Sequence, residues 1–186
     1  MTYIKKYGII YYKENGAILE MKNIYIDGAS HPHTDKSGGF GVVILEENNE
    51  LIYAYSEYAK DTTNNREELK AMIHALEYII DHKNQEYTIY CDSIYTLKSL
   101  TEWMSNWTSN GWKNSKKEPV ANQDLMSILW NYWNQYFCFP NVTFTHIRGH
   151  RGILGNELAD ALASKNKKKF SDLITSHNVK INNIDL

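Results

Sequence analysis

Apolar residues recur at Leu69, Met72, Ile73, Leu76, Ile79 and Ile80, the spacing of one helical face. The predicted helix runs from about Asn64 to His82, with Asn64 as N-cap and Glu67 as its capping-box partner. At 100° per residue Glu67 falls opposite the apolar face and Glu68 on its flank. Glu67 is therefore expected to face solvent, and Glu68 the body of the protein. Ahead of this helix, Asn23 to Gly28, Gly38 to Leu45 and Leu51 to Tyr58 read as strands joined by polar turns, an antiparallel meander. After it come a short strand, Tyr87 to Cys91, and a helix from Ile94 to about Met104. A polar Trp- and Lys-bearing segment, Ser105 to Val120, leads to a helix from Asn122 to Tyr136 with Leu125, Ile128, Leu129, Tyr132 and Trp133 on one side. Val142 to Ile147 is the last strand and Gly155 to Lys165 the last helix.

The order βββαβααβα predicts an α/β fold with a five-stranded mixed sheet flanked by helices. The sheet and helices occupy residues 23–166. Residues 1–22 read as an arm or hairpin turning at Asn15-Gly16. Residues 167–186 are expected to be a solvated tail that opens on a lysine cluster.

The chain has 186 residues, 42% of them apolar, and a net charge of −2. That suits one ordinary domain and excludes a bulk polycation, so any nucleic-acid binding must use a local basic patch. Cys91 and Cys138 lie among apolar or aromatic residues, which points to buried thiols in a reducing compartment. No apolar run is long enough for a membrane span, and no signal pattern opens the chain. A cytoplasmic monomer with no membrane association is expected.

Four carboxylates carry the candidate chemistry. Asp27 and Asp92 end strands, Glu68 opens a sheet-packing helix, and Asp160 lies on the last helix in line with Asn156 and Ala163. Taken singly, each has a plainer reading as a turn former or surface acid. Converging acids repel one another unless a hard divalent cation sits between them, and oxygen ligands favour Mg²⁺ or Mn²⁺ over zinc. Two ions about 3.5–4 Å apart would form a clamp for in-line attack on a phosphodiester.

Asp27-Gly28-Ala29-Ser30, Gly38-Gly39-Phe40-Gly41, Thr62 to Glu68, Cys91-Asp92-Ser93, Ile147 to Gly152 and Asn156 to Asp160 resemble type 1 ribonuclease H in order and spacing across residues 23–166. The resemblance implies a ribonuclease H fold and Mg²⁺-dependent cleavage of the RNA strand of RNA–DNA hybrids. It implies Asp27, Glu68, Asp92 and Asp160 as metal ligands, two ions with substrate bound, and His150 as an aid to proton movement or product release. It places Thr63, Asn64 and Asn65 at the hybrid's groove. It also suggests a weakened form of a basic, Trp-bearing protrusion, formed here by Trp103, Trp107, Trp112, Lys113, Lys116 and Lys117, with Lys98 contributing. Arg148 and Asn156 are further expected substrate contacts. Trp103 and Trp107, four apart, also suit packing between helices, and the lysines are the better candidates for phosphates.

The chain departs from the family pattern in three places. The loop after Asp27 carries His31-Pro32-His33-Thr34-Asp35, the residue two after Asp92 is Ile94, and the N-terminal arm has no match in the minimal domain. His31 and His33 have metal-binding chemistry, but nothing around them supports a site. Two competing readings remain: a DNA-acting enzyme on the same fold, and a silent nucleic-acid-binding module.

Overall fold

The computed structural model describes residues 2–6, 9–14, 17–19, 21–31, 36–83, 85–135 and 141–182. Three short strands, β1 (Thr2–Lys6), β2 (Ile9–Glu14) and β3 (Ala17–Leu19), form their own antiparallel sheet. The pairing of Glu14 with Ala17 brackets the expected Asn15-Gly16 turn, itself outside the described residues; β1 was not anticipated.

The main sheet comprises β4 (Met21–Ser30), β5 (Gly38–Leu45), β6 (Leu51–Ala59), β7 (Glu86–Cys91) and β8 (Val142–His146), in the order β6-β5-β4-β7-β8. The β4–β5–β6 meander is antiparallel, and β7 and β8 add on in parallel through helical crossovers. This is the mixed sheet expected. The first crossover is α1 (Asn64–Asp81). The second comprises α2 (Ile94–Lys98), a π-helical turn over Ser99–Trp103, α3 (Met104–Ser109) and α4 (Gln123–Gln135). Helix thus extends past the expected end at Met104, five residues into the polar Ser105–Val120 segment. α5 (Leu154–Ala163) follows β8.

Every residue of β5 is buried, because both faces of this strand are covered. Ile24, Ile26, Val42 and Ile44 meet Leu69, Met72, Leu76 and Ile79 of α1 on one face. Val43, Leu45 and Leu51 meet Leu158, Ala159 and Ala161 of α5 on the other. Strand alternation fixes which glycine each helix needs. A Cβ on Gly28 would collide with the backbone of Glu67 and Glu68, and one on Gly41 with the Ala159 carbonyl. Close approach of α1 to β4 therefore requires glycine at 28. Gly28→Ala is expected to destabilise the protein by about 1–3 kcal/mol, the usual cost of overpacking, read as a lower denaturation midpoint with an unchanged slope.

Three expectations about local structure are corrected. The N-cap of α1 is Thr63, whose hydroxyl accepts from the Arg66 amide; Asn64 is left to accept from the Ser30 hydroxyl at 2.6 Å. Glu67 is fully buried rather than solvent-facing, with Oε1 accepting from Thr62 Oγ1 at 2.5 Å and from Lys70 at 2.8 Å. Thr62 is itself buried under the helix entrance, so the first turn encloses Glu67 on a side that simple helical phase leaves open. Finally, the chain after Lys165 is not a solvated tail. It forms α6 (Lys167–Ser176), capped by Asn166. Phe170 and Val179 complete the second core cluster, and Ile181 bridges to Leu51.

Candidate active site

The register of the sheet brings the first two carboxylates together. Ile26 pairs with Cys91 across β4 and β7, so Asp27 and Asp92 follow as neighbours where that parallel pairing stops. Asp92 lies just past β7, whereas Asp27 does not end its strand as expected, since β4 runs on to Ser30. Alternation puts them on the face of Tyr25 and Tyr90, whose rings stack at 4.7 Å. Tyr25 in turn packs against α5 at Gly155, where a Cβ would enter the ring. α1, seated against Gly28, delivers Glu68 from its first turn. Asp27, Glu68 and Asp92 each present an oxygen within 4.8 Å of the others. Asp160, on α5, forms a second such group with His150 and Glu157. The two groups adjoin, because Asp92 and Asp160 both act on the Asp27 carboxyl.

The electrostatics are those of acids crowded without compensation. Asp27 and Glu68 are only 8% and 6% exposed. Burial, followed by repulsion from Asp92 and Asp160, pushes Asp27 up to about 7. Burial and the charges of Asp27 and Asp92 raise Glu68 well above the usual carboxylate range. Burial also raises Asp92, with His150 and His146 working the other way. Burial and the neighbouring Glu68 raise the Cys91 thiol, which lies 3.9 Å from Glu68 Oε2. Among the described residues no lysine or arginine pairs with Asp27, Glu68 or Asp92. An all-oxygen, part-buried set of mutually repelling donors fits a hard divalent cation.

The remaining expected residues fall into three groups. His150 is exposed at φ 52 in the loop before Gly152 (φ 74), beside Gly149, where any Cβ would strike Asp92. Thr63, Asn64, Asn65 and Arg148 are exposed. Trp103 and Lys113, with Trp107, line an open cleft of about 510 Å³, while Lys116 and Lys117 are exposed beyond it. Trp103 and Trp107 lie 5.6 Å apart, and Trp107 and Trp112 pack against the main core. Asn156 differs from the others. It is 2% exposed with an unpartnered Oδ1, because the tight seat of Gly155 on Tyr25 draws the first turn of α5 onto the sheet. Of the His31–His33 pair only His31 lies within the described residues, as does only Cys91, a buried free thiol, of the two cysteines.

One residue beside the acids was not anticipated. Lys169 of α6 donates to Asp160 Oδ2 at 2.5 Å and to Glu157 Oε2 at 2.7 Å. The lysine cluster was visible in sequence, but its spacing alone did not show which member turns inward.

An acid quartet drawn from β4, the end of β7 and the helices α1 and α5 of a mixed, helix-flanked sheet is the arrangement of a nuclease. The RNase H family profile matches residues 20–168. A ribonuclease H of Francisella tularensis subsp. novicida is 38% identical over 156 residues, covering 84% of this chain and 93% of the relative. One of a Cyanothece species is 37% identical over 144 residues, covering 77% and 87%. The fold is similar to the solution structure of the prototype foamy virus RNase H domain (TM-score 0.62, 22% identity, 88% and 98% covered). It is also similar to LC11-RNase H1 solved in complex with RNA/DNA hybrid (TM-score 0.55, 25% identity, 80% and 97% covered). The chain belongs to the ribonuclease H family and is an enzyme of that family. Among the described residues no helix is long and apolar enough to cross a membrane.

Proposed function

We propose that the enzyme hydrolyses the RNA strand of RNA–DNA hybrids internally, in a divalent-cation-dependent reaction that leaves 5′-phosphate and 3′-hydroxyl ends. The observation that carries this reading is the convergence of Asp27, Glu68 and Asp92 within 4.8 Å, with Asp160 alongside. These four side chains would hold Mg²⁺, with Mn²⁺ as substitute and two ions engaged when substrate is bound. Such ions supply charge stabilisation at the scissile phosphate and lower the pKa of the attacking water. The buried flank of the pocket, formed by Glu68 and Cys91, keeps bulk water from that side. Exposed His150, electrostatically linked to Asp92, carries protons between the site and solvent.

Grip on the duplex comes from the exposed polar turn at Thr63, Asn64 and Asn65, from Arg148, and from the cleft formed by Trp103 and Lys113 with Lys116 and Lys117 nearby. Hybrids are distinguished from DNA duplexes by contacts to 2′-hydroxyls. Lysine contacts to phosphates make binding weaken steeply with salt. Residues 23–166 carry this machinery in a cytoplasmic monomer, with residues 1–22 as an appended arm.

The test is a labelled RNA–DNA hybrid, double-stranded RNA and DNA duplex, each incubated with the protein and Mg²⁺. Cutting of the hybrid alone, abolished by chelator, is the expected result. Cutting of the DNA duplex, or binding with no cutting, would overturn the reading in favour of a DNA nuclease or a silent binding module.

A further inference from the structure

The first turn of α6 places three lysines in a row, and they do different things. Lys168 points outward, its side chain 86% exposed, and pairs with Asp172 one turn on. Lys169 turns the other way, 31% exposed, and its ammonium bridges Asp160 and Glu157. The helix itself does not favour this arrangement, since the positive end of its dipole opposes a cation in the first turn. What holds Lys169 inward is the acid pair, together with Phe170, which is buried in the second core cluster and fixes the rotation of α6. Burial works against the charge on Lys169, but its bonds to Asp160 and Glu157 outweigh it and hold the ammonium above its ordinary value.

Asp160, Glu157 and His150 form the second of the two groups able to hold a cation. An ammonium 2.5 Å from Asp160 Oδ2 and 2.7 Å from Glu157 Oε2 takes up space that a divalent ion needs, since such an ion binds carboxylate oxygens at about 2.0–2.1 Å. A protonated lysine has no lone pair to offer a metal, and the two cations repel. Lys169 and a metal ion therefore compete for Asp160 Oδ2 and Glu157 Oε2.

We infer that Lys169 is a positioning residue and built-in counter-ion: it holds Asp160 and Glu157 in place and must leave them when a divalent cation binds there, which raises the metal concentration needed to fill that half of the site. The inference rests on the proposed reading of the four acids as metal ligands.

Calorimetric titration of the full chain with Mn²⁺ alone tests it, with Mg²⁺-dependence of hybrid cleavage as a second readout. Lys169→Met is expected to tighten Mn²⁺ binding by roughly three- to tenfold, the range set by loss of one part-exposed double ion pair. The Mg²⁺ concentration for half-maximal cleavage should fall in parallel. Lys169→Arg should retain the wild-type isotherm, and Lys168→Met should change neither readout. Lys169→Gln, which keeps most of the stem and a donor without charge, gives the same test should Met disturb the packing of α6. A purely structural role would lower the melting temperature of the Met and Gln variants and leave their metal isotherms at wild type; that result would overturn the inference. If the wild-type chain binds no Mn²⁺, the metal-ligand reading fails and this one with it. If the wild type binds and the Met and Gln variants bind equally well, only the role of Lys169 fails.

Discussion

Replacing Asp27 by Asn is expected to abolish hybrid cleavage while sparing hybrid binding. Asp27 occupies the centre of the acid cluster: it feels Asp92 and Asp160 directly and belongs to the trio with Glu68. Asn retains the shape and one acceptor oxygen but removes the charge that would hold a hard cation. Loss of metal-assisted charge stabilisation, worth several kcal/mol, corresponds to a rate loss on the order of a thousandfold or more. Binding should survive because the expected grips, Asn64, Asn65, Arg148 and Lys113, are exposed on other elements. Single-turnover cleavage and a gel-shift assay on the same hybrid measure the two properties. Normal cleavage by the variant would remove Asp27 from the metal-ligand set; lost binding with intact metal affinity would assign it to substrate grip instead.

Much of this site was legible in the sequence because the information it needs is short-range. Asp27 and Asp92 are each one residue past an apolar strand segment, and parallel pairing of those strands makes them neighbours. Glu68 follows from helical phase, since the apolar stripe at Leu69, Met72 and Leu76 fixes which side of α1 meets the sheet. The same reasoning failed for Glu67. Phase places it opposite the core, but Thr62 folds over it and Lys70 closes the remaining side. Burial there is set by the chain entering the helix, which periodicity does not encode. The N-cap slipped by one residue for a related reason. Thr63 and Asn64 are both good caps, and the choice turned on Ser30, a strand residue 34 positions away that donates to Asn64.

The C-terminal region was misread for a different reason. Lysines 167–169 look solvated by composition, and Phe170 is the one buried residue of α6. Leu173 and Ile174, three and four residues on, pack against the same cluster, a helical spacing that the neighbouring lysines obscure. The burial of Phe170 depends on the small residues Ala159 and Ala161 of α5, which leave room between the helices. Once Phe170 is seated, the rotation of α6 follows, and Lys169 reaches the acids. The placement of Lys169 thus follows from long-range packing of Phe170, Leu173, Ile174 and Val179 rather than from the charge of the segment.

The metal-free protein is expected to lose stability as pH rises from about 4 through about 7, and divalent cations should reverse this at higher pH. The sign follows from the direction of the shifts. Asp27 is raised from 3.8 to about 7 in the folded chain, so its folded form prefers the proton. That preference stabilises fully below the unfolded value and is lost as pH passes the folded one. A rise of this size corresponds to about 4 kcal/mol at most, shared with Glu68 and Asp92, whose carboxyls face the same pocket. Ordinary surface carboxylates give the opposite trend at low pH, so the informative quantity is the difference between wild type and Asp27→Asn. In chelator, the variant's advantage in melting temperature should widen from pH 5 to pH 8 and then level off. Adding Mg²⁺ at pH 8 should raise the wild type, by about 2.7 kcal/mol when the free ion reaches a hundred times its dissociation constant, and move the variant far less. Metal affinity should climb over the same pH range, because the ligands must shed their protons before they bind. A difference that stays flat with pH would mean that Asp27 is not crowded by its neighbours in solution, and the charge repulsion that calls for a cation would then be absent.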